Sequence, residues 1–295
     1  GSTATLVSGA AITNWATLGL RAGMFIHIGS PTGTGVLQNG LGAGGTASHG
    51  YARITSISGA TLNLDKLSST LITAAGPASG AQDVLFGRFL RNVPVGSDST
   101  DNRYIERSYH FEAGYPDLGG TGTPEYEYAK GNFANELSLN VPLTDKASST
   151  WGFVGTDTEK IVGAGSRKTG ASAAVEPLRT VALNTSSDVV ALTTDVVSSA
   201  GDVCFKSLTL TIANNVSPEK CIGHLGARFM NVGLFEVNLE GQMLFTNKQI
   251  IDAITDNRTV TLLAILRNED GAIAIDLPSM TLGDGSREFP VDASV

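Results

Sequence analysis

Phe235-Glu236-Val237-Asn238-Leu239-Glu240-Gly241-Gln242-Met243 alternates apolar and polar residues without a break. Successive side chains of a strand point to opposite faces of its sheet. The stretch therefore predicts a long amphipathic strand with Glu236, Asn238, Glu240 and Gln242 on one face. Two more segments follow the same rule: Glu136-Leu-Ser-Leu-Asn-Val141, with Glu136, Ser138 and Asn140 on its polar side, and Ser207-Leu-Thr-Leu-Thr-Ile212. Strands with one apolar and one polar face belong to antiparallel sheets with one side packed and one side wet.

Working outward from this stretch, the spacing of Ile250, Ile251 and Ile254 within Asn247–Asn257 predicts one short helix, with Asn257 as its stop. Strands resume over Thr259–Arg267, turn at Asn268-Glu-Asp-Gly271 and continue through Ile273–Leu277 to Pro278. Toward the N-terminus, Gly23–Gly29 and Tyr51–Lys66 read as strands, the second bent at Ser58-Gly59-Ala60. A small β domain is expected over residues 1–95, with a boundary near Pro94-Val-Gly-Ser-Asp98, followed by the main β core over 96–295. Residues 166–201 are rich in Ser, Thr, Ala and Val, alternate weakly, and read as a long excursion from that core.

Composition narrows the function classes. Of the 295 residues 41% are hydrophobic and only 16% charged, which suits short strands and turns better than long surface helices. The net charge of −8 argues against nucleic-acid binding, which needs clustered Lys and Arg on the phosphates. No run approaches the roughly 18 apolar residues of a membrane helix. The first residues lack the charged-then-apolar order of a signal peptide, and the chain opens Gly1-Ser2-Thr3 without an initiator Met. Cys204 and Cys221 have neither His nor Cys at ligand spacing, and their apolar surroundings predict buried free thiols.

No set of residues assembles an enzyme site. Gly40-Leu-Gly-Ala-Gly-Gly45 spells a dinucleotide fingerprint, but no helix pattern follows it, so it reads as a loop. His27, His49, His110 and His224 are scattered, which leaves metal ligation without a ligand set. Ser108, His110 and Asp117 have the letters of a triad, yet Ser108 and His110 share one strand face and no nucleophile turn is present. Glu236 and Glu240 lie four strand residues apart, about 13 Å, beyond the roughly 5 to 9.5 Å between a glycosidase's paired acids. Trp15 and Trp151 stand outside any aromatic cluster in the sequence, and Tyr126 and Tyr128 flank Glu127 as a packing or subunit contact. No catalytic, cofactor-binding or metal-binding residue is expected.

The order of segments in the second half resembles the tail tube (major tail) proteins of long-tailed, siphovirus-like bacteriophages. The resemblance rests on Arg107-Ser-Tyr-His-Phe-Glu112, Tyr126–Val141 and Ser149-Thr-Trp-Gly-Phe-Val-Gly155, then Ser207–Val216 and Ile222-Gly-His-Leu-Gly-Ala227. The alternating strand, the helix near Ile250 and the closing Asp276–Leu282 complete it. Residues 20–66 are similar to a small β module that precedes this core in some members. The resemblance implies a mostly β chain with a tail-tube-type β-sandwich or barrel core, one flanking short α-helix and a small N-terminal β domain. It further implies a virion protein, assembled in the bacterial cytoplasm, that forms stacked rings around a DNA channel. Hexameric rings are expected for one tube domain per chain, and trimeric pseudo-hexameric rings if a second tube domain exists. The expected partners are other copies of the chain, the tape measure protein and genomic DNA in the lumen without specific binding, and tail terminator and baseplate proteins at the ends. Lumen lining then falls to Glu236, Asn238, Glu240 and Gln242, or to Glu136, Ser138 and Asn140. The competing reading is a baseplate or receptor-binding component or another carbohydrate-binding β-sandwich, which the aromatic-poor composition disfavours.

Overall fold

The computed structural model describes residues 3–8, 12–29, 50–68, 71, 83–90, 107–116, 120, 124–161, 167–168, 170, 180–196, 203–245 and 248–283. The boundary expected at Pro94–Asp98, the Gly40–Gly45 loop, His49 and Asp117 all lie outside these residues. The fold is mostly β, as its alternating segments require, and it divides into two compact units. One gathers Gly1–Leu90, Thr180–Cys204 and Phe245–Val295, and the other Arg91–Arg179 and Phe205–Leu244.

In the first unit the Ser58-Gly59-Ala60 punctuation produces a hairpin between β3 (Gly50–Ser58) and β4 (Thr61–Asp65). With β1 (Ala4–Val7), β2 (Phe25–Ile28) and β5 (Val84–Leu85) it forms an antiparallel sheet of order β1-β4-β3-β2-β5. Alternate residues Ala52, Ile54, Leu62 and Leu64 join Ile26, Ile28, Leu20 and Met24 in a buried cluster. Trp15, in a 3-10 turn over Trp15–Leu18, closes that cluster and donates its indole N–H to the Ala60 carbonyl at 2.8 Å. A buried indole with its polar edge satisfied is packing, not a sugar platform.

A second sheet in the same unit has the order β10-β15-β16, from β10 (Val189–Thr194), β15 (Thr259–Arg267) and β16 (Ala272–Thr281). The central strand carries the run Leu262-Leu-Ala-Ile-Leu266, buried at every position, as a strand covered on both faces must be. Pro278 is tolerated in β16 because the register shifts opposite it, between Val260 and Leu262. The expected turn forms at Asn268–Gly271, where the Asn268 side chain accepts from the Asp270 and Gly271 amides. The expected helix is α1 (Gln249–Thr255), with Ile250 and Ala253 buried. Arg53 on β3 reaches Asp65 with two donors at 2.9 and 2.6 Å and Asp276 on β16 at 2.7 Å, and Lys66 adds a contact to Asp276 at 2.7 Å. These bonds raise the Arg53 guanidinium above its ordinary pKa and lower the Asp65 carboxyl.

Within the segment read as an excursion, residues 166–201, the structure places β10 as a paired strand on β15. Its alternation is weak because it borders a three-stranded sheet and slips register between Val189 and Ala191. The expectation of two buried thiols is corrected: Cys204 is exposed and Cys221 half-buried, both free. Cys204 is the second residue of the strand Val203–Ala213, and Cys221 directly follows the strand Ser217–Lys220, so the apolar letters beside them do not enclose them.

The second unit is built on the 17-residue β7 (Glu125–Val141). β8 (Ser148–Val154) and β9 (Asp157–Ile161) follow one another along one edge of β7, in register Val154 with Phe133 and then Asp157 with Lys130. β6 (Tyr109–Tyr115) and β11 (Val203–Ala213) therefore share its other edge. β14 (Glu236–Phe245) pairs with β11 and ends the order β14-β11-β7-β6. A separate two-stranded ribbon joins β12 (Ser217–Lys220) to β13 (Ala227–Asn231).

Candidate functional site

The register of the second unit's sheet decides which polar residues share a face. Glu136, Ser138 and Asn140 on β7 stand opposite Ala213, Thr211 and Thr209 on β11, and opposite Gly152, Thr150 and Ser148 on β8. Directly paired residues project to the same side, and Thr209 donates its hydroxyl to the Asn140 side-chain oxygen at 3.2 Å. Leu208, Leu210 and Ile212, with Leu137, Leu139 and Val141, occupy the opposite side. A Cβ built on Gly241 of β14 would meet the Leu208 side chain at 3.0 Å, which puts the odd-numbered residues of β14 on the apolar side. Glu236, Asn238, Glu240 and Gln242 consequently lie on the polar side with Glu136, Ser138 and Asn140.

The two strand faces that the sequence offers as alternatives are thus one continuous surface. It carries three carboxylates, a row of amides and hydroxyls, and no Lys or Arg at any of the positions named. Glu136, Asn140, Glu236, Asn238, Glu240 and Gln242 are exposed. With no Lys or Arg at these positions and no converging acid pair, this surface has the chemistry of a wet, anion-repelling wall.

The apolar side of the same sheet is incompletely covered. Leu208 and Leu210 are buried, but Val237 is 42% exposed and Trp151 52%. Phe153 packs edge-on against Phe111 and Tyr109 with ring centroids 4.8 and 6.1 Å away, and it shares the β8 face of Trp151. The sequence hides this cluster, because its rings come from β6 and β8, on opposite edges of β7 and about 40 residues apart.

The polar letters of β6, β7 and β9 form an ion network of structural type. Tyr128, buried, donates its hydroxyl to Glu112 at 2.9 Å and accepts from the Lys168 amide at 2.9 Å. Arg167 pairs with Glu112, and the Lys168 ammonium reaches Glu159 at 2.5 Å, where Lys130 is also within 3.3 Å. Arg167 and Lys168 further lie over the Tyr126 and Tyr128 rings. Arg167 lowers the Glu112 carboxyl, and Lys168 and Lys130 lower that of Glu159. Tyr126 and Tyr128 therefore act as a packing contact that holds residues 167–168 against the sheet.

The remaining candidates stay apart. His27 is buried on β2, with Arg267 at 3.3 Å, His110 is exposed on β6 and His224 lies beside Arg228. Among the described residues no cluster of His, Cys, Asp or Glu could hold a metal ion, and no helix is long and apolar enough to cross a membrane.

A family model described as phage tail tube protein matches residues 5–293, nearly the whole chain. No curated protein matches it. That family is structural rather than enzymatic, and its members are components of the virion tail that assemble with one another.

Proposed function

Because the chain belongs to the phage tail tube protein family, we propose that its copies close into rings, and that the rings stack into a hollow tube through which DNA passes to the host. The polar face of the second unit lines that channel. What carries this reading is the merged surface of Glu136, Ser138, Asn140, Glu236, Asn238, Glu240 and Gln242, wet and free of cations. DNA binds where Lys and Arg displace its counterions. A wall of carboxylates, amides and hydroxyls offers no such exchange and lets the duplex slide.

Closure also answers the state of the sheet itself. β14 ends the strand order, and among the described residues its outer edge pairs with no strand. An open amphipathic edge invites pairing with another chain, and a ring of copies supplies that pairing everywhere at once. One tube domain per chain gives hexameric rings, and a second would give trimers. In this reading residues 1–95 decorate the tube exterior or bridge rings, and the part of 166–201 outside β10 meets the next ring. The tape measure protein occupies the lumen before DNA does, and terminator and baseplate proteins cap the ends.

Negative-stain electron microscopy at rising protein concentration tests assembly: rings or tubes with a central channel are expected, and a particle that stays monomeric throughout overturns it. Asn238→Cys, in a chain with Cys204→Ser and Cys221→Ser, tests the lumen assignment. In tubes the new thiol should react with a small maleimide and resist one carrying a bulky polymer. Equal reaction with both reagents would place this face outside.

A further inference from the structure

The ribbon of β12 and β13 ends in Cys221-Ile222-Gly223-His224-Leu225-Gly226, and its construction is unlike that of an ordinary surface loop. The His224 amide donates to the Cys221 carbonyl at 3.1 Å, and Gly223 sits at φ +86°, which makes a tight type II turn with Ile222 at its outward corner. Just beyond, a Cβ at Gly226 would come within 2.5 Å of the Thr156 carbonyl, and the Ala227 amide donates to that same carbonyl at 2.9 Å. The base of the ribbon is fixed too, by Gly233 donating to the Asn214 carbonyl at 3.0 Å and Asn215 donating to that of Leu234 at 2.7 Å. On this anchored tip Ile222 is 105% exposed and Leu225 93%.

Two aliphatic side chains held rigidly in water are costly unless something covers them. A tip fixed in one shape loses little conformational freedom when it docks, which favours binding. The same unit carries an unlike apolar surface, the half-exposed rings of Tyr109, Phe111, Trp151 and Phe153. We propose that Ile222 and Leu225 of one copy insert against this aromatic patch of a second copy, a head-to-tail contact between unlike surfaces. The occupant is another copy because the family assembles with itself and because each chain then brings both halves of the contact. A heterologous contact repeats from copy to copy and builds rings or filaments, whereas a self-complementary one stops at a dimer. The proposal rests on the tube reading and assigns the surfaces that carry it.

The test uses the full chain. Ile222→Asp with Leu225→Asp should leave the monomer's circular dichroism and melting temperature unchanged, since both side chains are almost wholly exposed, while raising the concentration needed for tubes at least about tenfold. Trp151→Glu should do the same from the other side. Mixed, the two variants should give discrete heterodimers and no tubes, because only one productive contact remains. Native Cys221 provides a second readout: in tubes of a Cys204→Ser, Ser149→Cys chain, whose new thiol lies beside the patch on the β8 face of Trp151, oxidation should yield a ladder of disulfide-linked copies. Normal tubes from the tip variant, or no ladder above the Cys204→Ser background, would overturn the inference while wild-type tubes keep the tube reading intact. A wild-type chain that forms no tubes would overturn both.

Discussion

β15 and β14 are strands of similar length with opposite fates. β15, in the first unit, is buried at Val260 and at every residue from Leu262 to Leu266. β14, in the second, keeps Leu239 and Met243 only half-buried and leaves Val237 and Leu244 exposed. The contrast extends to the units themselves: among the described residues, the buried hydrophobics of the second are Tyr128, Leu208, Leu210 and Val216, and all the others belong to the first. The first unit finishes its core within one chain. The second leaves more of its apolar surface exposed within the chain, the surface that the proposed contact between copies would cover.

Core substitutions should separate the two units most sharply. Leu266→Ala removes a side chain that is 1% exposed and should cost the isolated subunit about 2 to 5 kcal/mol in chemical denaturation. Leu239→Ala on β14 should cost the subunit roughly 1 kcal/mol or less, because its pocket is half open before assembly, yet it should weaken tubes clearly by light scattering. Equal destabilisation of the isolated subunit by both would erase the contrast.

Next in size is the ion cluster of the first unit. Arg53→Ala strands Asp65 and leaves Asp276 with Lys66 alone, and should lower stability by about 1 to 3 kcal/mol. The Asp65 carboxyl is lowered in the folded chain by its bonds to Arg53. Its contribution is therefore present above the unfolded carboxylate pKa, near about 4, and is lost as pH falls through the lower folded value. Melting temperatures of wild type and Arg53→Ala should converge on acidification below that range, and parallel curves would deny the linkage.

The smallest effect belongs to the network over β6, β7 and β9. Glu112 and Glu159 should titrate below the ordinary carboxylate range by NMR, and Arg167→Gln should return Glu112 toward it while leaving Glu159 in place. Because these groups face solvent, salt should weaken the contact and global stability should barely change. A Glu112 midpoint unmoved by Arg167→Gln would sever residue 167 from the sheet.

Much of the fold was legible in the sequence. Thr259–Arg267, the Asn268–Gly271 turn, the hairpin at Ser58–Ala60 and the helix around Ile250 each carry local signals, period two, period 3.6 or turn chemistry, that no tertiary contact overrides. β10 was hidden because a bulged strand with weak alternation leaves little pattern. The thiols were misjudged because apolar neighbours in sequence do not enclose a residue at a strand end. The candidate face was half legible: each strand declared its own polar side, but the sequence held the two sides as alternatives.

What the sequence determined by itself was the set of strands and the polar side of each, because alternation along a strand is a property of the backbone alone. Its acidic, cation-poor balance on those polar sides was equally plain. Tertiary structure alone decided that Glu136 and Glu240 share one surface, that Phe111 meets Phe153 over β7, and that Arg53 finds Asp276 across 223 residues. The reason is that register, strand order and edge pairing bring distant segments together, and no local pattern encodes which neighbour a strand will take.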